Sequence, residues 1–211
     1  MGTNKWNYLL VLAAAATSVM PGFASPITVS NFSFETVTGA PIGCGVGCSY
    51  TLDPVPGWVK TGTSGQFIPG TTPNSYYNTL SDGPTQAFAD SGMLSQVVLP
   101  TVQLGMIYTL MVDLGNRLDL GFAGTADLLI NGNTYTAVGV TPVKGAFGTF
   151  TATYIGQAAD VGQAITIELK TSGRQGDFDN VRLDASPVPE PATFLLLTPA
   201  LLMLRRRRQR G

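Results

Sequence analysis

The chain has 211 residues, of which 12% are charged, with 12 Lys and Arg against 13 Asp and Glu, two cysteines and no histidine. An ordinary domain carries about twice that fraction of charged residues. The missing histidine excludes Ser-His-Asp and Cys-His catalysis and His-ligated zinc, and two cysteines are too few for a four-thiolate zinc or iron–sulfur site.

Residues 1–24 have the pattern of a secretory signal peptide. Lys5 stands in a short N-terminal region, an apolar stretch runs from Trp6 to Val19, and Gly22 and Ala24 supply the small residues that signal peptidase requires. We therefore expect cleavage after Ala24. The alternative is a retained anchor helix, but the apolar run is shorter than the roughly 20 residues that a membrane span needs.

Residues 25–186 form the predicted mature domain, and this domain is acidic. It contains six basic and twelve acidic residues, which gives a net charge of −6. Such a charge, together with the lack of a basic patch with interleaved aromatic residues, argues against nucleic acid as a partner.

The body has no helical periodicity and consists of short runs rich in Val, Ile, Thr, Tyr and Phe, separated by Gly, Pro, Asn and Asp. The predicted strands are residues 27–34, 57–61, 65–68, 85–89, 93–99, 106–114, 126–130, 133–138, 148–154, 164–170 and 178–183. Asn131-Gly132 predicts a hairpin with a type I′ turn. Alternation in Met106–Leu114 and Ala164–Lys170 gives each strand one buried face. The pattern predicts an all-β domain, a β-sandwich and most simply a jelly roll.

Cys44 and Cys48 lie in a glycine-rich stretch of a protein that we expect to be exported. An oxidising compartment favours a disulfide, and three intervening residues with two glycines can bend enough to form it. Two free thiols or a redox pair are the alternatives. A redox pair would need a nearby positive charge, and no basic residue lies close in the sequence.

A sugar-binding site on a β-sandwich needs flat aromatic faces beside polar groups, and such groups gather in loops and at strand ends. The candidates are Trp58, Tyr76, Tyr77, Arg117 and Asp119. Trp58 is more typical of core packing after a turn, whereas at least one ring of Tyr76-Tyr77 should be exposed. Arg117 has a structural alternative, an ion pair with Asp113 or Asp119.

Catalytic carboxylates do not stand out. The body has two glutamates, Glu35 and Glu168, and Glu168 lies on a regular strand between core residues. Most aspartates lie in turns or at strand ends, where turn and solvation roles are usual. Glycoside hydrolysis needs a pair of carboxyl groups. We therefore expect a non-catalytic domain, with a glycan-active enzyme as the least favoured alternative.

Short motifs across residues 26–184 resemble the galactose-binding-like β-sandwich of many carbohydrate-binding modules. They are Asn31-Phe32-Ser33-Phe34-Glu35, Pro56-Gly57-Trp58, Leu94-Ser95-Gln96, Tyr108-Thr109-Leu110 and Asp177-Phe178-Asp179-Asn180-Val181. The resemblance implies carbohydrate binding and a calcium ion that ties the first strand to the last, with Glu35 and Asp179 as ligands. Calcium takes six to eight oxygen ligands and needs no histidine. The alternative is that Glu35 caps a turn and Asp179 hydrogen-bonds a neighbouring loop.

The C-terminal residues 187–211 form a separate segment with three parts. Val188, Pro189, Glu190 and Pro191 come first, then the apolar run Ala192–Leu204, then Arg205, Arg206, Arg207 and Arg208. The 14 residues between Glu190 and Arg205 make about 21 Å of helix against a hydrocarbon core of about 30 Å. Snorkelling arginines and local thinning can close that difference. The arginines predict a cytoplasmic tail and an external body. A disordered basic tail after a core helix is the alternative, but the segment has no polar face.

These three parts, in this order at a C-terminus, resemble the PEP-CTERM sorting signal of Gram-negative bacteria. The resemblance implies recognition by an exosortase, a membrane-embedded cysteine transpeptidase-like enzyme that removes the tail near Pro189-Glu190-Pro191. The prolines keep this segment extended and out of the helix. Such proteins are generally exported by bacteria that make extracellular polysaccharide.

Together these observations predict an exported single-domain protein, processed by signal peptidase and an exosortase. We expect it to be anchored in the membrane transiently and then to lie at the cell surface or outside the cell. Exopolysaccharide binding is the expected activity, and a structural surface protein without a specific ligand is the alternative.

Overall fold

The computed structural model describes residues 23–189 and contains eleven strands in that range. They are β1 (Ser25–Ile27), β2 (Ile42–Gly45), β3 (Cys48–Thr51), β4 (Val59–Ile68), β5 (Gln86–Val98), β6 (Met106–Asn116), β7 (Thr125–Ile130), β8 (Asn133–Thr136), β9 (Ala146–Ile155), β10 (Ile165–Lys170) and β11 (Gly176–Pro187). Both predicted terminal helices, together with Glu190, Pro191 and the arginine cluster, lie outside the described residues. Within residues 23–189, no helix has the length and apolar character to cross a membrane.

The strands form two antiparallel layers. The first has the order β2-β3-β4-β5-β10-β7-β8, and the second has the order β9-β6-β11-β1. The layers join at one place, where Gly176–Phe178 of β11 pairs with Ala89–Ala87 of β5. The prediction of an all-β sandwich is therefore confirmed.

The main core lies between the two layers. Tyr108, Leu110 and Val112 of β6 and Ile165, Ile167 and Leu169 of β10 are all buried, as the alternation predicts. Burying each such side chain contributes about 1.5–3 kcal/mol of hydrophobic free energy. The Asn131-Gly132 hairpin joins β7 to β8, and both residues have the positive φ that the turn requires, 48° and 76°.

Two parts of the strand prediction are wrong. Residues 30–34 form a turn, not a strand, because Asn31 and Phe34 have positive φ and the Asn31 side chain bonds both backbone groups of Thr36. The hairpin of β2 and β3 was not predicted, since its glycine-rich sequence has low strand propensity.

Strand β6 defines two ends of the sandwich, about 34 Å apart at about 3.4 Å per residue. At the Met106 end, the Gly105 and Gly156 backbones are hydrogen-bonded and Val188 donates to the Gly105 carbonyl. At the Asn116 end, the Asn116 carbonyl accepts from Gly145, and the Tyr76 carbonyl accepts from Leu118. The candidate site lies at the Asn116 end.

Candidate functional site

A second hydrophobic cluster lies on the outer face of the first layer. Ala87 and Ala89 of β5 point into the main core, so Phe88 between them points to the opposite side. Phe88 packs there with Cys48, Phe67 and Tyr77, and with the partly buried Cys44, Tyr50, Tyr76, Leu80 and Phe147. We call this set the aromatic cluster.

An open cavity of about 320 Å³ enters the aromatic cluster. Its walls are formed by Cys44, Tyr50, Leu52, Thr63, Phe67, Tyr76, Phe88, Asp90, Arg117 and Gln175. Tyr50 meets Phe88 edge to face at 6.3 Å between ring centroids, and Phe67 meets Tyr76 in the same way at 5.2 Å. This cavity, which we call the aromatic pocket, therefore offers ring faces and edges beside a few polar groups, as small-molecule sites usually do.

Arg117 forms the polar side of the pocket. Its Cζ lies 4.6 Å from the Tyr76 ring centroid and 5.1 Å from that of Phe67, within cation–π range. Its Nε and Nη2 donate to the two carboxylate oxygens of Asp119 at 2.9 and 2.8 Å. Burial lowers the pKa of Arg117, but the Asp119 hydrogen bonds and nearby negative charges outweigh it, so the net pKa is raised. The structural alternative for Arg117 is thus present, with Asp119 as its partner, and Asp113 instead pairs with Arg182.

Asp177 of β11 lies directly behind the pocket wall. Its carboxylate accepts hydrogen bonds from the Tyr77 hydroxyl at 2.8 Å and from Gln175 Nε2 at 2.9 Å. Burial is the largest cause of its raised pKa, and burial followed by the Asp177 charge raises the pKa of Tyr77. Gln175 lines the pocket, so the Asp177 carboxyl group with its raised pKa lies one side chain away from the cavity.

The two tyrosines of the 74–78 loop have different surroundings. The Asn74 side-chain oxygen accepts from the backbone N–H groups of both Tyr76 and Tyr77 at 2.8 Å, which fixes the loop. Tyr76 is half-buried and lines the pocket, whereas Tyr77 is fully buried and stacks on Phe147 at 4.9 Å. A ligand can therefore reach Tyr76, but it cannot reach the Tyr77 ring.

Trp58 also lies in the interior. Its indole Nε1 donates to the Ser30 carbonyl at 3.0 Å, and its ring lies 5.4 Å from that of Phe34. The structure thus places Trp58 in the main core, the more typical of its two predicted roles. Of the five predicted ligand-binding residues, Tyr76 and Arg117 line the aromatic pocket, and Asp119 holds Arg117.

Cys44 and Cys48 form a disulfide across the β2–β3 hairpin, with their Cα atoms 5.2 Å apart. Cys44 lines the pocket, and Cys48 belongs to the buried part of the aromatic cluster. The bridge therefore fixes the hairpin that forms one wall of the pocket.

Glu35 and Asp179 both hold the 81–85 loop. Glu35 accepts from the Thr85 N–H at 2.9 Å, and Asp179 accepts from the N–H groups of Asp82 and Asn180 at 2.9 and 2.7 Å. Burial is the main cause of the raised pKa of both groups, with that of Asp179 at about 8. Within residues 23–189, no three His, Cys, Asp or Glu side chains are grouped to hold a metal ion. The contacts match the structural alternative, and calcium binding stays a prediction.

Comparison with known proteins decides the family. A family model for HpiC1-like proteins, described as HpiC1 cyclase, matches residues 25–184. The chain belongs to the HpiC1-like family. The crystal structure of a Stig cyclase, Fisc from Fischerella sp. TAU, in complex with (3Z)-3-(1-methyl-2-pyrrolidinylidene)-3H-indole, is similar at 24% identity and a TM-score of 0.63, covering 79% of this chain and 100% of that chain. This likeness shows a shared fold.

Weaker similarity extends to carbohydrate-binding modules. The CBM22-1 xylan-binding domain of Paenibacillus barcinonensis Xyn10C is 11% identical at a TM-score of 0.44, covering 63% of this chain and 88% of that domain. TmCBM61 in complex with β-1,4-galactotriose is 17% identical at a TM-score of 0.43, covering 75% and 98%. A search of curated proteins finds no match.

The family corrects the expectation of a non-catalytic domain, because the HpiC1-like model describes a cyclase. The sequence reasoning looked for paired carboxylates and so passed over Asp177, although its motif was recognised. The sequence carries no clear signal for its burial, because a strand side chain is buried only when other residues cover its face of the sheet. Tyr50, Phe67 and Phe88 were missed because a sandwich core explains strand aromatics equally well.

Proposed function

We propose that the aromatic pocket binds a small unsaturated substrate that contains a ring, and that it closes a further ring by acid catalysis, with Asp177 as the proton donor. The observation that carries this proposal is that the buried Asp177 carboxyl group, whose pKa is raised by burial, accepts a hydrogen bond from the pocket residue Gln175 in a member of a cyclase family. A carboxyl group with a perturbed pKa beside a pocket is a functional-site candidate on physical grounds.

The chemistry balances without a co-reactant. The protonated Asp177 gives its proton to an unsaturated carbon of the substrate, and the cation that forms is attacked by another group of the same molecule. The proton released on ring closure returns to the Asp177 carboxylate. The faces of Tyr50, Phe67 and Tyr76 stabilise positive charge on the substrate through their π-systems.

Arg117 and Gln175 complete the proposed machinery. The Arg117 guanidinium is held by Asp119 and by two ring faces, so it can orient a polar substituent at low conformational cost. Gln175 donates to Asp177, and rotation of its amide would open the path between the carboxyl group and the pocket. Both residues act as positioning groups in this scheme.

Binding and turnover test this proposal separately. The indole compound seen with Fisc serves as the binding probe, and calorimetry measures its affinity. Indoles with unsaturated side chains serve as trial substrates, and their products are analysed for isomers of unchanged mass. Tyr76→Ala should abolish probe binding, while Asp177→Asn should keep binding and abolish isomer formation. Val143→Ala, an exposed change outside the pocket, is the control. Isomer formation at the wild-type rate by Asp177→Asn would rule out Asp177 as the proton donor.

Carbohydrate binding at the same pocket is the second candidate. The half-buried Tyr76 face beside the Arg117–Asp119 pair is the arrangement of ring and polar group that a sugar needs. A glycan array with the full chain, compared with Tyr76→Ala, distinguishes it from the first candidate. Glycan binding that Tyr76→Ala abolishes, without affinity for the indole probe, would favour an exopolysaccharide ligand.

We further propose that the protein is exported, anchored through residues 192–204 and released by an exosortase. The support is the order of Val188-Pro189-Glu190-Pro191, the apolar run and the arginine cluster, together with the signal-peptide pattern of residues 1–24. Replacing Pro189, Glu190 and Pro191 by alanine should leave full-length protein in the membrane, whereas Gln209→Ala should not. Normal release of the triple variant would contradict the sorting proposal.

A further inference from the structure

Exposed apolar side chains gather at the Met106 end of the sandwich, opposite the aromatic pocket. They are Leu99, Leu104, Ile155, Val161 and Val188, with exposed fractions from 38% at Val188 to 76% at Leu99. We call this set the apolar end.

Backbone hydrogen bonds hold the segments of the apolar end together. Gly105 accepts from Val188 at 2.8 Å and donates to Gly156 at 3.1 Å, and Gly162 donates to Val102 at 2.9 Å. Leu104, Ile155 and Val161 are the immediate chain neighbours of these bonded residues. The apolar side chains therefore belong to one surface and not to separate loops.

The same surface presents little charge. Segments 99–105 and 155–163 contain one ionisable side chain, Asp160, which is 8% exposed and accepts hydrogen bonds from Tyr154 at 2.6 Å and Asn131 at 2.8 Å. The body as a whole carries a net charge of −6. Anionic headgroups repel an acidic surface, so the low charge of the apolar end suits it to approach a bilayer.

The C-terminal segment that we propose to enter the membrane follows directly from the apolar end. Val188 is bonded to Gly105, and only Pro189, Glu190 and Pro191 separate it from Ala192, where the apolar run begins. Four residue steps span at most about 14 Å even when fully extended. When residues 192–204 are in a bilayer, the apolar end is therefore held within about 14 Å of the point of entry.

We propose that the apolar end rests on the lipid bilayer while residues 192–204 are inserted, and that this contact points the aromatic pocket away from the membrane. The inference rests on the proposed membrane anchoring of the tail. Side chains such as Leu104 and Val161 would enter the boundary between headgroups and acyl chains, where exposed apolar groups gain from burial. The pocket, about 34 Å away along β6, stays open to solvent.

Tryptophan quenching in the full chain tests this contact. Val161→Trp at the apolar end and Val143→Trp at the Asn116 end are matched changes of exposed valines. Each variant is reconstituted in phosphatidylcholine vesicles with or without bromine on the acyl chains, and the wild-type emission is subtracted. We expect bromine to quench Val161→Trp and to leave Val143→Trp unchanged. Leu104→Trp repeats the test at a second position, and circular dichroism checks that each variant is folded.

Flotation of the vesicles after an alkaline wash distinguishes a failure of the tail anchoring from a failure of the lipid contact. Flotation without bromine quenching at either Val161→Trp or Leu104→Trp overturns the lipid contact alone, and equal quenching of Val143→Trp overturns the orientation. Protein that does not float overturns both the tail anchoring and the contact. An emission shift that depends on protein concentration and not on lipid would show that a second copy of the chain covers the apolar end, which also overturns the proposal.

Discussion

The main core and the aromatic cluster both bury hydrophobic side chains, but the residues around those side chains differ in polarity. The main core is mostly aliphatic, and residues such as Leu110, Leu128 and Ile167 fill the space between the layers. The aromatic cluster adjoins ionisable groups, namely the Arg117–Asp119 pair and the buried Asp177. Burying a charged group costs free energy that an apolar residue would not cost. The main core therefore stabilises the fold, whereas the aromatic cluster holds buried ionisable groups at a cost in stability, as the proposed site requires.

The largest expected effect on stability belongs to the main core. Leu128→Ala removes a fully buried side chain between the layers and should lower the free energy of unfolding by about 3 kcal/mol. Urea unfolding measures the loss. Val97→Ala truncates an exposed side chain of β5 in the first layer and is the control. It should lower the free energy of unfolding by less than about 0.5 kcal/mol. If Leu128→Ala also abolished binding in the pocket of the folded protein, the two clusters would not be separable.

The second prediction concerns the contribution of Asp179 to the stability of the folded protein, which a rising pH should lower and calcium should raise. Its folded pKa of about 8 lies above the unfolded value of about 3.9, so the native state holds this proton more tightly. The stability that this group contributes is fully present below pH 3.9 and is lost as the pH rises to about 8. In a chelator, Asp179→Asn should therefore gain stability relative to the wild type across that range.

Calcium sharpens the same measurement. A bound cation favours the charged carboxylates of Glu35 and Asp179, so calcium should raise the melting temperature of the wild type near pH 8 but not that of Asp179→Asn. Glu168→Gln, a change in the first layer outside this pair, is the control. A wild-type melting temperature that is the same in calcium and in chelator would contradict the prediction of a calcium site.

The sequence predicted the main core better than the aromatic cluster, and the reason is physical. Alternation in β6 and β10 marks one buried face, because a strand with one face in the core must bury every second side chain. The aromatic cluster depends on loop 74–78 folding over the outer face of Phe88, and on Asn74 holding that loop. Such contacts join residues far apart in the chain and leave no periodic signal. Arg117 was found from its place at a strand end, whereas Asp177 became visible only through its burial.

A smaller effect is expected from the disulfide of the pocket wall. Cys44→Ser with Cys48→Ser opens a very short loop, so the entropic model gives a loss of at most about 2 kcal/mol. Because Cys44 lines the pocket, the same change should weaken ligand binding. Thermal unfolding and probe binding are compared between this variant and the wild type with and without reductant. Binding that survives in the variant at full strength would show that the hairpin holds its place without the bridge.

The smallest change in stability is expected for Arg117→Lys, and it separates charge from shape. Lysine keeps the positive charge but cannot donate two parallel hydrogen bonds to Asp119 or place a planar guanidinium over the rings of Tyr76 and Phe67. Asp119 is partly exposed, so solvent screens the pair and the loss of stability should be about 1 kcal/mol. Probe binding should fall much more than stability, because the planar guanidinium fixes the Tyr76 ring that the ligand meets. Lys144→Arg, a reciprocal change on an exposed loop, is the control. If Arg117→Lys bound the probe as tightly as the wild type, positive charge alone would suffice, and the shape of the Arg117–Tyr76 wall would not determine what the pocket accepts.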